Sequence, residues 1–377
     1  MDFTELPFDT HTMLQGLKSW VECESPTYDA DAVNRMMDLA AHDFATLGAT
    51  VERIPGRMGL GGSLRARFGH PRANMPGILV SGHFDTVHPV GTLGALPFRI
   101  EGNRAYGPGI LDMKGGNFIA FEAMRQLIRA GIETKLPVTF LLTPDEEIGT
   151  PSTRELIEME AARNRYVLVP EPARENNGVV TGRYAIARYN LVARGKPSHA
   201  GVSPKAGRSA IREMARKVLE IDAMSGEDCS FSVGVIQGGQ WVNCVSSLCT
   251  AQALSMAKTD EDLEAGIARM LALSGVENEV EFTVSRGVTR PVWKPGRPET
   301  MALYDKAAAL AGRLGVALPH GSSGGGSDGN FTGAMGIATL CGLGVRGAGY
   351  HTLEEHIEID SLIDRGRLMA GLFALLD

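Results

Sequence analysis

The 377-residue chain has little cysteine, no long apolar run and no surplus of positive charge. Its five cysteines (Cys23, Cys229, Cys244, Cys249 and Cys341) are scattered and odd in number. None pairs at CxxC spacing, which argues against a thiolate zinc site and fits buried thiols in a reducing compartment. No apolar stretch approaches the roughly 18 residues that a membrane span needs. Acidic residues outnumber basic ones, 44 to 37, and no basic stripe is concentrated anywhere. A nucleic-acid partner is therefore not expected. The opening MDFTELPFDT lacks the charged-then-apolar layout of a secretory signal, so the expected location is the cytoplasm. No internal repeat or biased tract appears beyond the glycine-rich run 321–329. What remains is a globular composition, 44% hydrophobic and 21% charged, in a chain long enough for two domains.

Hydrophobic periodicity divides the chain. Residues 33–47 repeat apolar positions at helical spacing, and the run 77–80 (GILV) reads as a strand buried on both faces. A helix is predicted over 117–130 after a Gly-Gly pair, then buried strands over 137–143 (PVTFLLT) and 166–169 (YVLV). Strands separated by such helices form βαβ units, so the expected class is α/β: a mainly parallel sheet flanked by helices. Ligands then bind beyond the carboxyl ends of the strands. From about residue 183 the texture changes to strands over 184–193, 231–236, 245–256 and 280–288, with helices over 209–221 and 260–272. This reads as an inserted α+β layer, after which helices over 299–314 and 362–376 restore the first texture. The expected domains are 1–182 with 293–377, and an insertion over 183–292.

Metal-type ligands recur where these strands end. SGHFDTV (81–87), GPGILDMKGG (107–116), TPDEEIGT (143–150), PEP (170–172) and YHT (350–352) each offer an imidazole or a carboxylate. Singly, each has an ordinary reading: a satisfied core histidine, a solvated acidic turn, a tight loop before a helix. Together they would place several charges at one edge of a sheet, where unpaired charge is costly and metal or pairing is the usual remedy.

In this order the blocks closely resemble the M20 family of zinc peptidases, and within it the carboxypeptidase G2-like (glutamate carboxypeptidase) branch. GKPSHAG (195–201) is similar to the start of that family's dimerisation, or lid, domain. The resemblance implies two divalent metal ions per subunit, with zinc expected and cobalt or manganese as alternatives. Asp112 would bridge them, Glu147 and His351 would complete one metal's ligands, and His83 and Glu171 the other's. Glu146 would be the general base and Asp85 would hold the His83 imidazole from behind. His199 would reach the active site of a second subunit and donate to the oxyanion, which implies a homodimer. His356, five residues after His351 in HTLEEHIEID, is a rival ligand by composition. His11, His42, His70, His88 and His320 have no motif support and read as surface or structural.

The resemblance further implies a short-peptide or small acylated substrate whose amide bond is cleaved. SSGGGSD (322–328) lacks Walker spacing and instead resembles a stretch that lines the substrate cleft, with Gly324 and Gly325 close to the ligand. Asn243 belongs to the same expected set. Family members that release C-terminal amino acids carry a carboxylate-binding arginine about thirteen residues after that asparagine; here the count reaches Met256, or Ala257 with a one-residue slip. Arg290, before Pro291, resembles a second family arginine, and Lys258 is another candidate cation. The alternative to a carboxypeptidase is a deacylase or aminohydrolase of a non-peptide amide or aryl amine. A third reading is a catalytically dead relative that only binds ligands. Packing of Met256 into the core of the insertion would be a purely structural explanation of the substitution.

Overall fold

The computed structural model describes residues 2–377, which divide into two compact units. The first comprises Met1–Gly182, Pro295–Ser323 and Ser327–Asp377, apart from its first residue, which lies outside the described chain. The second comprises Arg183–Lys294 and Gly324–Gly326.

The first unit is built on an eight-stranded sheet. In spatial order its strands are Thr50–Ile54, Ser63–Arg67, Val138–Thr143, Gly77–His83, Asn164–Val169, Ala338–Cys341, Val179–Arg183 and His320–Ser323. Four central strands run parallel, with antiparallel neighbours on either side. Gly77–His83 and Val138–Thr143 are buried at every residue, which is why they read as continuous apolar runs. Helices Thr10–Glu22 and Ala30–Thr46 are started by Asp9 and Asp29, whose side chains accept from Thr12 and Ala32 amides. Helix Gly115–Ala130 stops at Gly131, held in the left-handed conformation at φ 66°. Trp20 fixes the packing of these layers, its ring edge-on to Phe84 at 5.1 Å and Phe118 at 5.2 Å. A small second sheet, Gly347–Ala348, His356–Glu358, Arg104–Tyr106 and Arg99–Glu101, ties the C-terminal loop to the segment before helix Gly115–Ala130.

The second unit is a five-stranded antiparallel sheet in the order Cys229–Gly238, Leu248–Ala257, Ala185–Arg194, Val280–Arg290 and Gly275–Glu277. Helices Ala210–Ala223 and Asp260–Ala272 cover the face formed by Ala185, Ala187, Tyr189, Leu191 and Ala193. A separate ribbon pairs Ser198–His199 with Cys244–Val245.

The expected parallel sheet and α+β insertion are present, but one of the four central parallel strands, Ala338–Cys341, is not among the expected strands, and other differences lie at the margins. The sheet of the insertion has a fifth strand; Gly275–Glu277 is three exposed residues with no apolar alternation to betray it. Trp293, Lys294 and Gly324–Gly326 belong to the second unit, not the first. The physical reason is local: Arg183 and Trp293 exchange backbone hydrogen bonds of 2.9 and 3.0 Å, and the Arg183 guanidinium donates to the Gly325 oxygen at 2.6 Å. Among the described residues no helix is long and apolar enough to cross a membrane.

Candidate metal centre

The parallel register brings three ligand-bearing segments to one edge. His83 is the last residue of its strand and lies level with Thr143, the last of the next. The chain turns there into Asp145, Glu146 and Glu147, and on the other side Val169 runs into Glu171. Helix Gly115–Ala130 packs tightly under this edge. A Cβ at Gly116 would lie 1.8 Å from the Pro170 oxygen, so the Gly-Gly pair permits that approach. Asn117 Nδ2 then donates to the His83 oxygen at 2.6 Å. Asp112, just before the helix, has extended rather than helical backbone, φ -115° and ψ 94°.

At this edge Asp112 faces two imidazoles with different oxygens. His83 Nε2 is 3.3 Å from Asp112 Oδ1 and 3.9 Å from Glu171 Oε1. His351 Nε2 is 3.3 Å from Asp112 Oδ2 and 3.1 Å from Glu147 Oε2. Two ligand sets have donor atoms mutually within 4.8 Å: His83, Asp112 and Glu147, and His83, Glu146 and Glu171. His83 is 1% exposed and its Nε2 has no hydrogen-bond partner, although it points at carboxylates. A buried nitrogen left in this way suits a cation between it and the oxygens, and imidazole with carboxylate is a donor set for zinc. The residues present therefore fit a divalent metal site.

The electrostatics agree. Burial and the charge of Asp112 push the Glu147 carboxyl up to about 8. Asp112 and Glu147 together raise His351 to about 10. Burial opposes a charged His83, but the Asp112 and Asp85 carboxylates outweigh it and raise its pKa. Burial likewise works against ionised Asp112, yet His351 and His83 hold its pKa below the usual carboxylate range. Crowded carboxylates thus share protons with imidazoles, and a dication would take the place of those protons.

Asp85 joins two parts of the centre. His83 Nδ1 is 2.9 Å from the Asp85 backbone oxygen and 3.4 Å from its Oδ1. The Asp85 carboxylate accepts from the amides of Glu146 (3.1 Å) and Glu147 (3.2 Å) and from the Thr27 hydroxyl (2.8 Å). Between the two histidines of HTLEEHIEID, His351 is the one whose ring reaches the carboxylates; His356 lies tilted against Tyr106, 5.1 Å between ring centres. His88, set aside in the sequence, is buried and bonded to Glu355. Sequence reasoning missed three buried acids here. Asp145 accepts from Ser152 and Thr153, Asp328 accepts from Thr150 at 2.5 Å, and Glu355 is bonded to His88. For Asp145 the available signal was its place before the Glu-Glu pair, and for Asp328 the glycine-rich run that it ends.

The other predicted residues lie in the second unit. His199 pairs with Cys244 in the short ribbon, and the Ala200 amide donates to the Asn243 oxygen at 2.9 Å, so His199 and Asn243 are neighbours. His199 Nδ1 accepts from the Gly201 and Val202 amides, both at 3.1 Å, which leaves Nε2 as the proton-bearing nitrogen of the neutral ring. The register aligns Met256, Ile186 and Arg290 in one row on the same face. Met256 does not pack into the core of the insertion: strand alternation sends Ala251, Ala253 and Ala257 there and leaves Met256 half-buried on the opposite face. Arg290 is 4% exposed and lies under the glycine-rich loop, where a Cβ at Gly326 would come within 2.9 Å of its Cδ. Gly324 lies over Tyr184, and Lys258 Nζ is 6.0 Å from the centre of that ring.

Residues 79–374 match the model of peptidase family M20/M25/M40. The chain belongs to this family. It is 30% identical to carboxypeptidase G2 of Pseudomonas sp. (strain RS-16), over 96% of this chain and 88% of that one. A succinyl-diaminopimelate desuccinylase of Hydrogenovibrio crunogenus is 27% identical over 87% of this chain and 90% of its own. Among solved structures, human carnosine dipeptidase 1 superposes with a TM-score of 0.77 at 16% identity, covering 99% and 98% of the two chains. That likeness speaks for the fold. Membership makes this chain a hydrolase acting on C–N bonds, and relatives named for peptide, succinyl and acetyl substrates leave the acyl group open.

Proposed function

We propose that the chain is a di-zinc carboxypeptidase that releases a C-terminal, glutamate-like amino acid from a peptide or N-acyl amino acid. The observation that carries the metal part is Asp112, whose two oxygens face separate imidazole–carboxylate pairs. Asp112 would bridge, with Glu147 and His351 on one ion and His83 and Glu171 on the other. Two such ions would acidify a water and polarise the scissile carbonyl. Glu146 is buried beside His83 and Glu171, and it takes the proton of the attacking water and passes it to the leaving amine. Asp85 holds the amides of Glu146 and Glu147, so base and ligand keep their separate directions.

The same reading makes the protein a homodimer. His199, with Nε2 as donor, serves the oxyanion of a second copy. Strand Cys229–Gly238 supports this, since it is the outer strand of its sheet and exposes Val235 and Ile236. Asn243, Gly324, Gly325 and Arg290 would contact the substrate. We place the protein in the cytoplasm, a reading supported by five free thiols.

A second reading has its own support. Met256 stands where a carboxylate-binding arginine is expected, which favours a deacylase or aminohydrolase of a non-peptide amide. A panel of N-acyl amino acids against the same amides without the carboxylate separates the two; failure on every carboxylate-bearing substrate sinks the carboxypeptidase. The metal reading is tested first, by metal analysis of zinc-replete protein and turnover of Glu146→Ala. Two ions per chain and a loss of about 100- to 10,000-fold are expected. Well under two ions, or unchanged turnover, refutes it.

A further inference from the structure

Glu355 stands four residues after His351 and is 1% exposed. Its Oε1 accepts from the backbone amides of Leu111 (2.9 Å) and Asp112 (3.1 Å). Its Oε2 accepts from the Gly109 amide at 2.9 Å and from His88 Nε2 at 2.7 Å. The Gly107 amide also donates to its backbone oxygen at 3.4 Å, and the next residue, His356, pairs with Tyr106.

One side chain therefore ties three segments. His88 directly follows the first motif (81–87), Gly109 to Asp112 lie in the second (107–116), and Glu355 itself belongs to the segment carrying His351. Asp112 and Met113 depart from helical backbone inside a single turn over Ile110–Lys114 whose hydrogen bonds come from the Lys114 and Gly115 amides, so that turn does not fix the direction of the Gly109, Leu111 and Asp112 amides. They converge on a single buried acceptor instead, a concave nest of N–H groups around an anion. We propose that Glu355 is a positioning residue for the metal centre: its carboxylate sets where Asp112 lies relative to His351 and His83. This rests on the two-metal reading above.

Glutamine is the informative substitution. Its amide oxygen can still accept from Leu111 and Asp112, but its NH2 would face the Gly109 donor, so the nest is half dismantled at nearly constant volume. The test titrates metal-free wild type, Glu355→Gln and Glu355→Asp with Co2+ against a competing chelator. It records the visible spectrum of each loaded protein and the melting temperature of each metal-free one. Glu355→Gln is expected to bind Co2+ about 10- to 100-fold more weakly with shifted visible bands, at a metal-free melting temperature close to that of wild type. Glu355→Asp should fall between the two. His88→Gln, which touches only one of the four donors, carries the same readouts if Glu355→Gln does not fold. Wild type that takes two ions beside variants of equal affinity and identical spectrum overturns the positioning role and leaves the metal centre standing. An equal affinity loss in Glu160→Gln, a buried carboxylate paired with Arg65, would also overturn it. Wild type that takes up no Co2+ removes the metal reading itself.

Discussion

Apart from His351, which is exposed, and Arg290, which is buried, the two units hold their chemistry-bearing side chains in opposite ways. In the first, His83, Asp85, Glu146 and Glu171 are all buried, and Asp85 alone bonds two backbone amides and a hydroxyl. In the second, His199 is exposed on a two-residue ribbon with Asn243 exposed beside it, and Met256 is half-buried in the same row as Ile186 and Arg290. A metal centre needs several groups at fixed distances, and burial with interlocking hydrogen bonds supplies that. A residue that meets a substrate or a second copy of the chain must stay accessible until the meeting, so less of its surroundings is fixed in the single chain.

The largest effect should come from breaking the first arrangement at its shared point. Asp112→Ala removes the oxygens that face both imidazoles, so both metals should be lost and turnover should fall to that of chelator-treated protein. Metal analysis of the purified variant checks this, and a chain that still holds two ions would show that Asp112 bridges nothing. A smaller effect is expected at the ribbon. His199→Gln should lower kcat about 100- to 1,000-fold with metal content unchanged, as for loss of one oxyanion donor. If kcat stays at the wild-type value, the ribbon takes no part in the chemistry and the contrast between the units becomes one of catalysis against mere structure.

This contrast also explains what was legible in the sequence. Gly77–His83 and Val138–Thr143 announced themselves because a strand buried on both faces must be apolar throughout, and their motifs follow because parallel strands end together. The proposed ligands His83, Asp112, Glu147, Glu171 and His351 lie in short blocks whose order and composition could be read directly. Glu355 could not. Its role arises from where the small sheet His356–Glu358 with Arg104–Tyr106 brings it, a pairing of residues about 250 positions apart that no local pattern encodes. Strand Gly275–Glu277 and hairpin Thr50–Ile54 with Ser63–Arg67 were missed for another reason: the first is exposed and the hairpin's outer strand is not deeply buried, so apolar alternation is weak.

Met256 offers a way to sharpen the substrate side. It shares a row and a face with Arg290, two strands and about 10 Å away. Met256→Arg places a guanidinium beside the one already there. It should raise kcat/KM for a carboxylate-bearing amide about tenfold relative to the same amide without the carboxylate. An unchanged ratio would mean that the row does not meet the substrate, and specificity would have to be sought at Lys258, Tyr184 or the glycine-rich loop.

The smallest expected signal distinguishes the units by protons. With Glu147 near 8 and His351 near 10, both groups hold protons at pH 7 in metal-free protein. Metal binding needs a carboxylate and a neutral imidazole, so loading should release about two protons per chain, or more if His83 also gives one up. The sign with pH follows. Between pH 7 and 9 Glu147 passes through its own pKa and arrives already ionised, so the release should fall by about one while the apparent affinity rises; His351 still contributes its proton at pH 9. Calorimetric titration in buffers of differing ionisation enthalpy measures the count. Heats that do not depend on the buffer would mean that the imidazoles and Glu147 are already free of protons, and that the crowding at Asp112 is not what prepares the site. His199→Gln should leave the count unchanged, because nothing on the ribbon exchanges a proton for a metal; a lower count in that variant would join the two units in one titration and dissolve the distinction between them.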